Sequence, residues 1–152
     1  MGFFRILTGK DPQTQKGDSM RDKQYVGESI DVYYDVSLCV HAAECVRGLP
    51  EVFDTKRKPW ILPDGAEAPD VATVIERCPS GALQFVRKDG GDAETPDVPT
   101  SVKLNDWQQI EVRGDLQINQ GDEVISTYRA TLCGCGQSGK RPICDHSGAC
   151  KG

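Results

Sequence analysis

Apolar and polar residues alternate first at Ile30, Val32 and Tyr34 against Asp31, Tyr33 and Asp35, the period of a half-buried strand. Residues 40–47 suit a short helix, stopped at Gly48 by a residue fitted to a helix C-terminus. Pro59-Trp60-Ile61-Leu62 is a brief apolar run closed by Pro63. Val71, Val74, Ile75 and Cys78 then fall at i, i+3, i+4 and i+7, which makes one apolar stripe on a helix. Pro69 and Asp70 suit its first turn and Pro79 ends it. Ala82 to Val86 reads as a strand. The first half is thus strand, helix, strand, helix, strand.

The second half reads as β throughout. Val102 and Leu104, Ile110 and Val112, and Leu116 and Ile118 alternate with polar residues, and Gly114-Asp115 and Gly121-Asp122 supply turns. Residues 89–101 separate the halves, with four acidic residues, no basic one and Val98 as their single large apolar side chain. They read as an extended acidic linker. Residues 1–24 are polar from Thr8 onward and without periodicity, so they read as a mobile N-terminal arm. The expected layout is an arm at 1–24, one domain at 25–88, the linker at 89–101 and a second domain at 102–152.

Charge and composition narrow the function. The chain has 152 residues, 18 Lys and Arg, 23 Asp and Glu and a net charge of -5. That balance gives no basic face for nucleic acid and no polybasic membrane surface. The apolar runs are too short for a transmembrane helix, and Phe3, Phe4, Ile6 and Leu7 are too short a run for a signal peptide. A cytoplasmic protein is expected. No Gly-rich phosphate loop, Ser/His/Asp arrangement or catalytic carboxylate pair is evident, so no enzyme is expected.

The chemistry lies in seven Cys beside two His. A reducing compartment argues against a disulfide framework and for metal or redox roles. Cys39, Cys45 and Cys78 precede the linker, with His41 among them. Cys133, Cys135, Cys144 and Cys150 follow it, with His146 among them. The first group reads Cys-x5-Cys and then Cys78-Pro79. This is the bacterial ferredoxin spacing, Cys-x2-Cys-x2-Cys and a distant Cys-Pro, with Ala42 in place of the middle cysteine. A tight loop sets two thiolates on one face of a cluster, and the distant Cys-Pro closes the cage. Buried thiols in a small core are the plainer alternative, since Cys78 lies on the apolar stripe.

The wider segment carries His41-Ala-Ala-Glu-Cys45-Val-Arg-Gly-Leu-Pro-Glu-Val-Phe53, Lys58-Pro-Trp-Ile61 and Cys78-Pro-Ser-Gly-Ala-Leu83. Over residues 25–88 it closely resembles the divergent mono-cluster [4Fe-4S] ferredoxin family. The resemblance implies an iron–sulfur cluster on Cys39, Cys45 and Cys78. Three cysteines with Ala42 in the gap suit a [3Fe-4S] cluster. A [4Fe-4S] cluster needs a further ligand such as water, a carboxylate or His41.

The second group reads Cys133-Gly-Cys135-Gly-Gln-Ser138-Gly-Lys-Arg-Pro142-Ile-Cys144-Asp145-His146-Ser147-Gly148. It resembles the CDGSH iron–sulfur family, of mitoNEET type, whose pattern is Cys-x-Cys-x2-Ser/Thr-x3-Pro-x-Cys-Asp-Gly-Ser/Thr-His. The resemblance covers residues 100–152 and implies a [2Fe-2S] cluster held by three Cys and one His. Here His146 replaces the usual Gly, and Gly148 replaces the ligating His. His146, Cys150 or an exogenous group remain open as the fourth ligand to Cys133, Cys135 and Cys144. Tetrahedral zinc and a disulfide are the rivals at this site. Asp145 is expected to cap a turn.

The expected fold class is α+β, a small ferredoxin-like α/β sandwich joined to a small β-rich CDGSH-type iron–sulfur domain. The expected function is two-cluster electron transfer. The acidic surface would dock on a basic patch of a redox partner, a reductase or an oxidase. The CDGSH resemblance also allows a homodimer. Two alternatives stand beside this reading: cluster storage, transfer or redox and pH sensing, and a zinc-stabilised interaction module.

Overall fold

The computed structural model describes residues 22–148, so the sequence readings for residues 1–21 and for Cys150 lie outside the described residues. Among the described residues, two three-stranded antiparallel sheets and two α-helices make an α+β architecture. Strand β1 (Asp22–Tyr25) pairs with β2 (Ile30–Asp35), which pairs in turn with β3 (Leu83–Arg87). The first sheet therefore begins inside the segment read as an arm. Helix α1 is Glu44–Gly48 and helix α2 is Ala68–Glu76.

The apolar alternation of β2 and the stripe of α2 meet in one core. Ile30, Val32, Leu83 and Phe85 of the sheet pack with Val71, Val74 and Ile75 of α2 and with Val52, Phe53 and Ile61 from the connecting loop. Each such side chain fully buried contributes about 1.5–3 kcal/mol relative to exposure. Helix α1 is shorter than the sequence pattern implied. His41 and Ala43 stand at φ 58° and 64°, a left-handed conformation that cannot continue a right-handed helix. Residues 39–43 form a loop instead, and Cys39 lies in that loop while Cys45 lies in the first turn of α1.

The second sheet consists of β4 (Ser101–Leu104), β5 (Gln109–Gln120) and β6 (Glu123–Cys133). Gly114-Asp115 does not turn the chain, as the sequence reading had it. The ladder shifts register between Arg113 and Leu116, so β5 runs through as one strand with a bulge there. Gly121-Asp122 does form the hairpin turn between β5 and β6.

The two sheets are joined by side chains from both halves. Leu38 and Ala82 pack with Ile125 and Ile143, and Val40 packs with Cys144. Gly81 is needed at this joint. It sits at φ 75°, and a Cβ there would lie 2.3 Å from the carbonyl oxygen of Arg129. Among the described residues no helix is long and apolar enough to cross a membrane.

Candidate metal centres

The first cysteine group converges from three elements. Cys39 follows the 3-10 turn Val36–Leu38, which Asp35 caps by accepting from the Ser37 N–H at 2.9 Å. Cys45 stands in α1, and Cys78 follows the C-terminal end of α2, its N–H donating to the Ile75 carbonyl at 2.9 Å. All three line one cavity with Tyr34, Trp60, Ser80 and Leu83. Tyr34 and Trp60 meet edge to face with ring centroids 5.0 Å apart. Cys78 Sγ lies 3.4 Å from Ser80 Oγ.

Electrostatics supports a shared ligand for these thiols. Burial, with thiolates at Cys78 and Cys39, pushes the Cys45 thiol up to about 11 against the opposing backbone N–H bonds. The Tyr34 phenol is raised by burial, by its hydrogen bond with Cys39 and by the same three thiolates. Three thiolates crowded in a half-buried cavity repel one another. A cationic iron core removes that penalty, so the donor set fits a cluster. Glu44 also lines this cavity, and it is paired with Arg47 at 3.2 Å. His41 lines the neighbouring cavity, with Cys39 and Cys45.

The second group is built at the end of β6. Cys133 is the last residue of that strand, and its N–H donates to the Pro142 carbonyl at 2.8 Å. The Cys144 N–H donates to the Thr131 carbonyl at 3.0 Å, so the returning segment lies alongside β6. Ser138 holds the intervening loop: its hydroxyl donates to the Ile143 carbonyl at 2.6 Å and accepts from the Lys140 N–H at 3.0 Å. Asp145 caps a turn as expected, accepting from the N–H groups of Gly139 and Ser147. The Ser147 hydroxyl and those N–H bonds hold its carboxyl below the usual range.

Donors already point at the sulfurs of this group. Gly136 N–H donates to Cys133 Sγ at 3.2 Å and His146 N–H to Cys144 Sγ at 3.3 Å. The Gln109 side-chain amide approaches Cys144 Sγ at 3.5 Å. Burial resists ionisation of Cys133, but the Ser138 and Gly136 N–H groups and the Cys135 thiol outweigh it and lower its pKa. This is how thiolate ligands of iron are stabilised. Gly148 passes so close to Cys135 that a Cβ there would lie 2.6 Å from its Sγ. His146 stands at φ 60°, a left-handed conformation that glycine adopts without strain.

The structure brings the two groups together. The rings of His41 and His146 lie with centroids 5.5 Å apart and planes tilted by 55°. Among the described residues no set of three or more His, Cys, Asp or Glu side chains converges closely enough to hold a single metal ion.

One further residue has a role that sequence reasoning did not assign to it. Arg129 is 1 % exposed. Its Nη1 donates to the Ile75 carbonyl at 2.9 Å and to the Cys78 carbonyl at 2.7 Å, and its Nη2 donates to the Leu83 carbonyl at 2.8 Å. It thus fastens the backbone of a cysteine of the first group from a strand of the second sheet. The signal is its place on the inward face of β6, in step with Ile125, Thr127 and Thr131.

Residues 25–88 match the family model described as a divergent 4Fe-4S mono-cluster. Two relatives, each called uncharacterized protein YjdI, come from Escherichia coli strain K12 and from Escherichia coli O157:H7. Each is 50% identical over 64 residues, which is 42% of this chain and 84% of the relative. No solved structure matches the chain. The match in residues 25–88 spans all three cysteines of the first cavity, and through that segment the chain belongs to the divergent 4Fe-4S mono-cluster family.

Proposed function

We propose that this iron–sulfur protein is a two-cluster electron carrier rather than an enzyme. Cys39, Cys45 and Cys78 hold a [4Fe-4S] cluster, and the family description favours this nuclearity over [3Fe-4S]. Cys133, Cys135 and Cys144 hold a [2Fe-2S] cluster with His146 as fourth ligand, in a CDGSH-like unit spanning residues 102–152. Residues 25–88 form the first unit and residues 89–101 connect the two. An iron–sulfur cluster supplies one-electron redox chemistry. The chain's residues supply thiolates, N–H donors to sulfur and shielding from water.

The observation that carries the reading is the contact between the two cysteine groups. His41, two residues from Cys39, meets His146, two residues from Cys144, and Val40 packs against Cys144 itself. Two redox groups held by such adjoining loops suit passage of an electron from one to the other. The net charge of -5 and the exposed carboxylates Glu28, Asp64 and Glu67, which share one groove, support docking to a basic redox partner.

Electron paramagnetic resonance on the reduced, anaerobically purified protein tests the assignment. Cys78→Ser should remove the signal of the first cluster and Cys144→Ser that of the second, each leaving the other signal in place. A single cluster signal in the unaltered protein would overturn the reading.

A further inference from the structure

A second cavity adjoins the first cysteine group and shares Cys39 and Cys45 with it. It measures about 750 Å³ and has Cys39, His41 and Cys45 in its wall, while Cys78 is not among its lining residues. Tyr25, Tyr34 and Trp60 contribute aromatic rings to it. The charged residues that line it are Lys23, Arg57 and Lys58, and no carboxylate lines it. In a chain of net charge -5 this is a local reversal of sign.

The three cations have different tasks. Arg57 is held by backbone carbonyls, donating from Nη2 to Val52 at 2.9 Å and from Nε to Pro59 at 3.4 Å, and so fixes the loop that carries Trp60. Lys23 lies with its Nζ 5.3 Å from the centre of the Tyr25 ring. Lys23 and Lys58 are exposed, and neither is ion-paired among the described residues. The cavity is of small-molecule size, since such sites usually measure about 300–1,000 Å³ and combine apolar walls with a few placed polar groups.

We infer that this cavity binds a small molecule with a flat apolar body and one anionic group, of the aromatic carboxylate class. Its ring lies among Tyr25, Tyr34 and Trp60, and its carboxylate meets the ammonium groups of Lys23 and Lys58. The aromatic walls select a planar body by stacking and edge contacts. The two exposed ammonium groups select the charge, and removing one of them costs mainly affinity for the anion. Bound there, the molecule lies against the Cys39 and Cys45 side of the first site. The inference goes beyond electron transfer and does not depend on the second cluster.

Isothermal titration calorimetry of the full-length, cluster-loaded protein with 2-naphthoate, and with its neutral isostere 2-naphthamide, tests it. The expected result is saturable one-to-one binding of 2-naphthoate, about tenfold tighter than 2-naphthamide. Lys58→Glu should abolish most of that preference while leaving 2-naphthamide unchanged, and Trp60→Leu should weaken both ligands. The visible absorption spectrum of each variant checks that the first site is intact. Binding no tighter for 2-naphthoate than for 2-naphthamide, or a preference untouched by Lys58→Glu, would overturn the inference. So would capture of a poly-glutamate peptide without 2-naphthoate binding, which would make this face a protein-docking surface.

Discussion

The guanidinium of Arg129 and the carboxylate of Glu94 meet as two parallel hydrogen bonds inside the protein, Nε to Oε1 at 2.6 Å and Nη2 to Oε2 at 2.9 Å. Burial pulls the Arg129 pKa down, and the bonds and charge of Glu94 more than restore it. Glu94 comes from the acidic segment after the first sheet, and the remaining guanidinium bonds go to the carbonyls of Ile75, Cys78 and Leu83. Removing one partner leaves the other charged and buried. Glu94→Ala should therefore cost about 3–5 kcal/mol of stability in urea unfolding of the anaerobic protein. Arg129→Lys should also destabilise, because an ammonium cannot reproduce the planar fork. A Glu94→Ala loss under about 1 kcal/mol would mean that the pair is not holding the joint.

That pair also marks the limit of what the sequence discloses. Glu94 and Arg129 are 35 residues apart, and nothing local to either names the other. The stripe of α2 was legible because Val71, Val74 and Ile75 repeat with the helical period and all face the core. Strand β1 was not, because Asp22, Lys23 and Gln24 look like a polar arm; Lys23 and Gln24 are exposed and Tyr25 is buried. The bulge at Gly114-Asp115 carries the same residues as a turn, so composition could not separate them. The cysteines stood out because ligand spacing is a local property. The left-handed conformations at His41, Ala43 and His146 that shape both loops leave no such trace.

Metal removal should act unevenly. Between Cys133 and Gly148 only Ser138, Ile143 and Cys144 are buried, so packing alone stabilises this segment weakly. Cluster binding should supply most of its folding free energy. In hydrogen–deuterium exchange, chelation should strip protection from residues 134–148 while β5 and β6 stay protected. Unchanged protection in that segment after iron removal would refute this.

The two cysteine groups should also differ in metal-free protein. The Cys45 thiol is pushed up to about 11 by burial and by Cys78, and Cys133 is held below its ordinary value by N–H donors that outweigh burial. Alkylation needs the thiolate. Iodoacetamide should therefore label Cys133 well before Cys45 as pH rises, which peptide mass mapping reads directly. A folded pKa above the unfolded value means that Cys45 favours folding below pH 9.0, and that this contribution is lost as pH climbs toward about 11. Earlier labelling of Cys45 would contradict the burial argument.

The fourth ligand of the second site can be separated by exchange. With His146 as ligand, His146→Cys should shift the visible spectrum and lower the reduction potential, because thiolate makes the site more negative than neutral imidazole does. Cys150→Ser should then change neither. The opposite pattern would assign the site to Cys150.

Native mass spectrometry of the anaerobically purified chain, before and after acid removal of metal, tests the two-cluster account most directly. The account predicts a mass difference of about six iron and six sulfide per chain, one [4Fe-4S] and one [2Fe-2S] cluster. A chain carrying one cluster only, or zinc in place of the second, would contradict it.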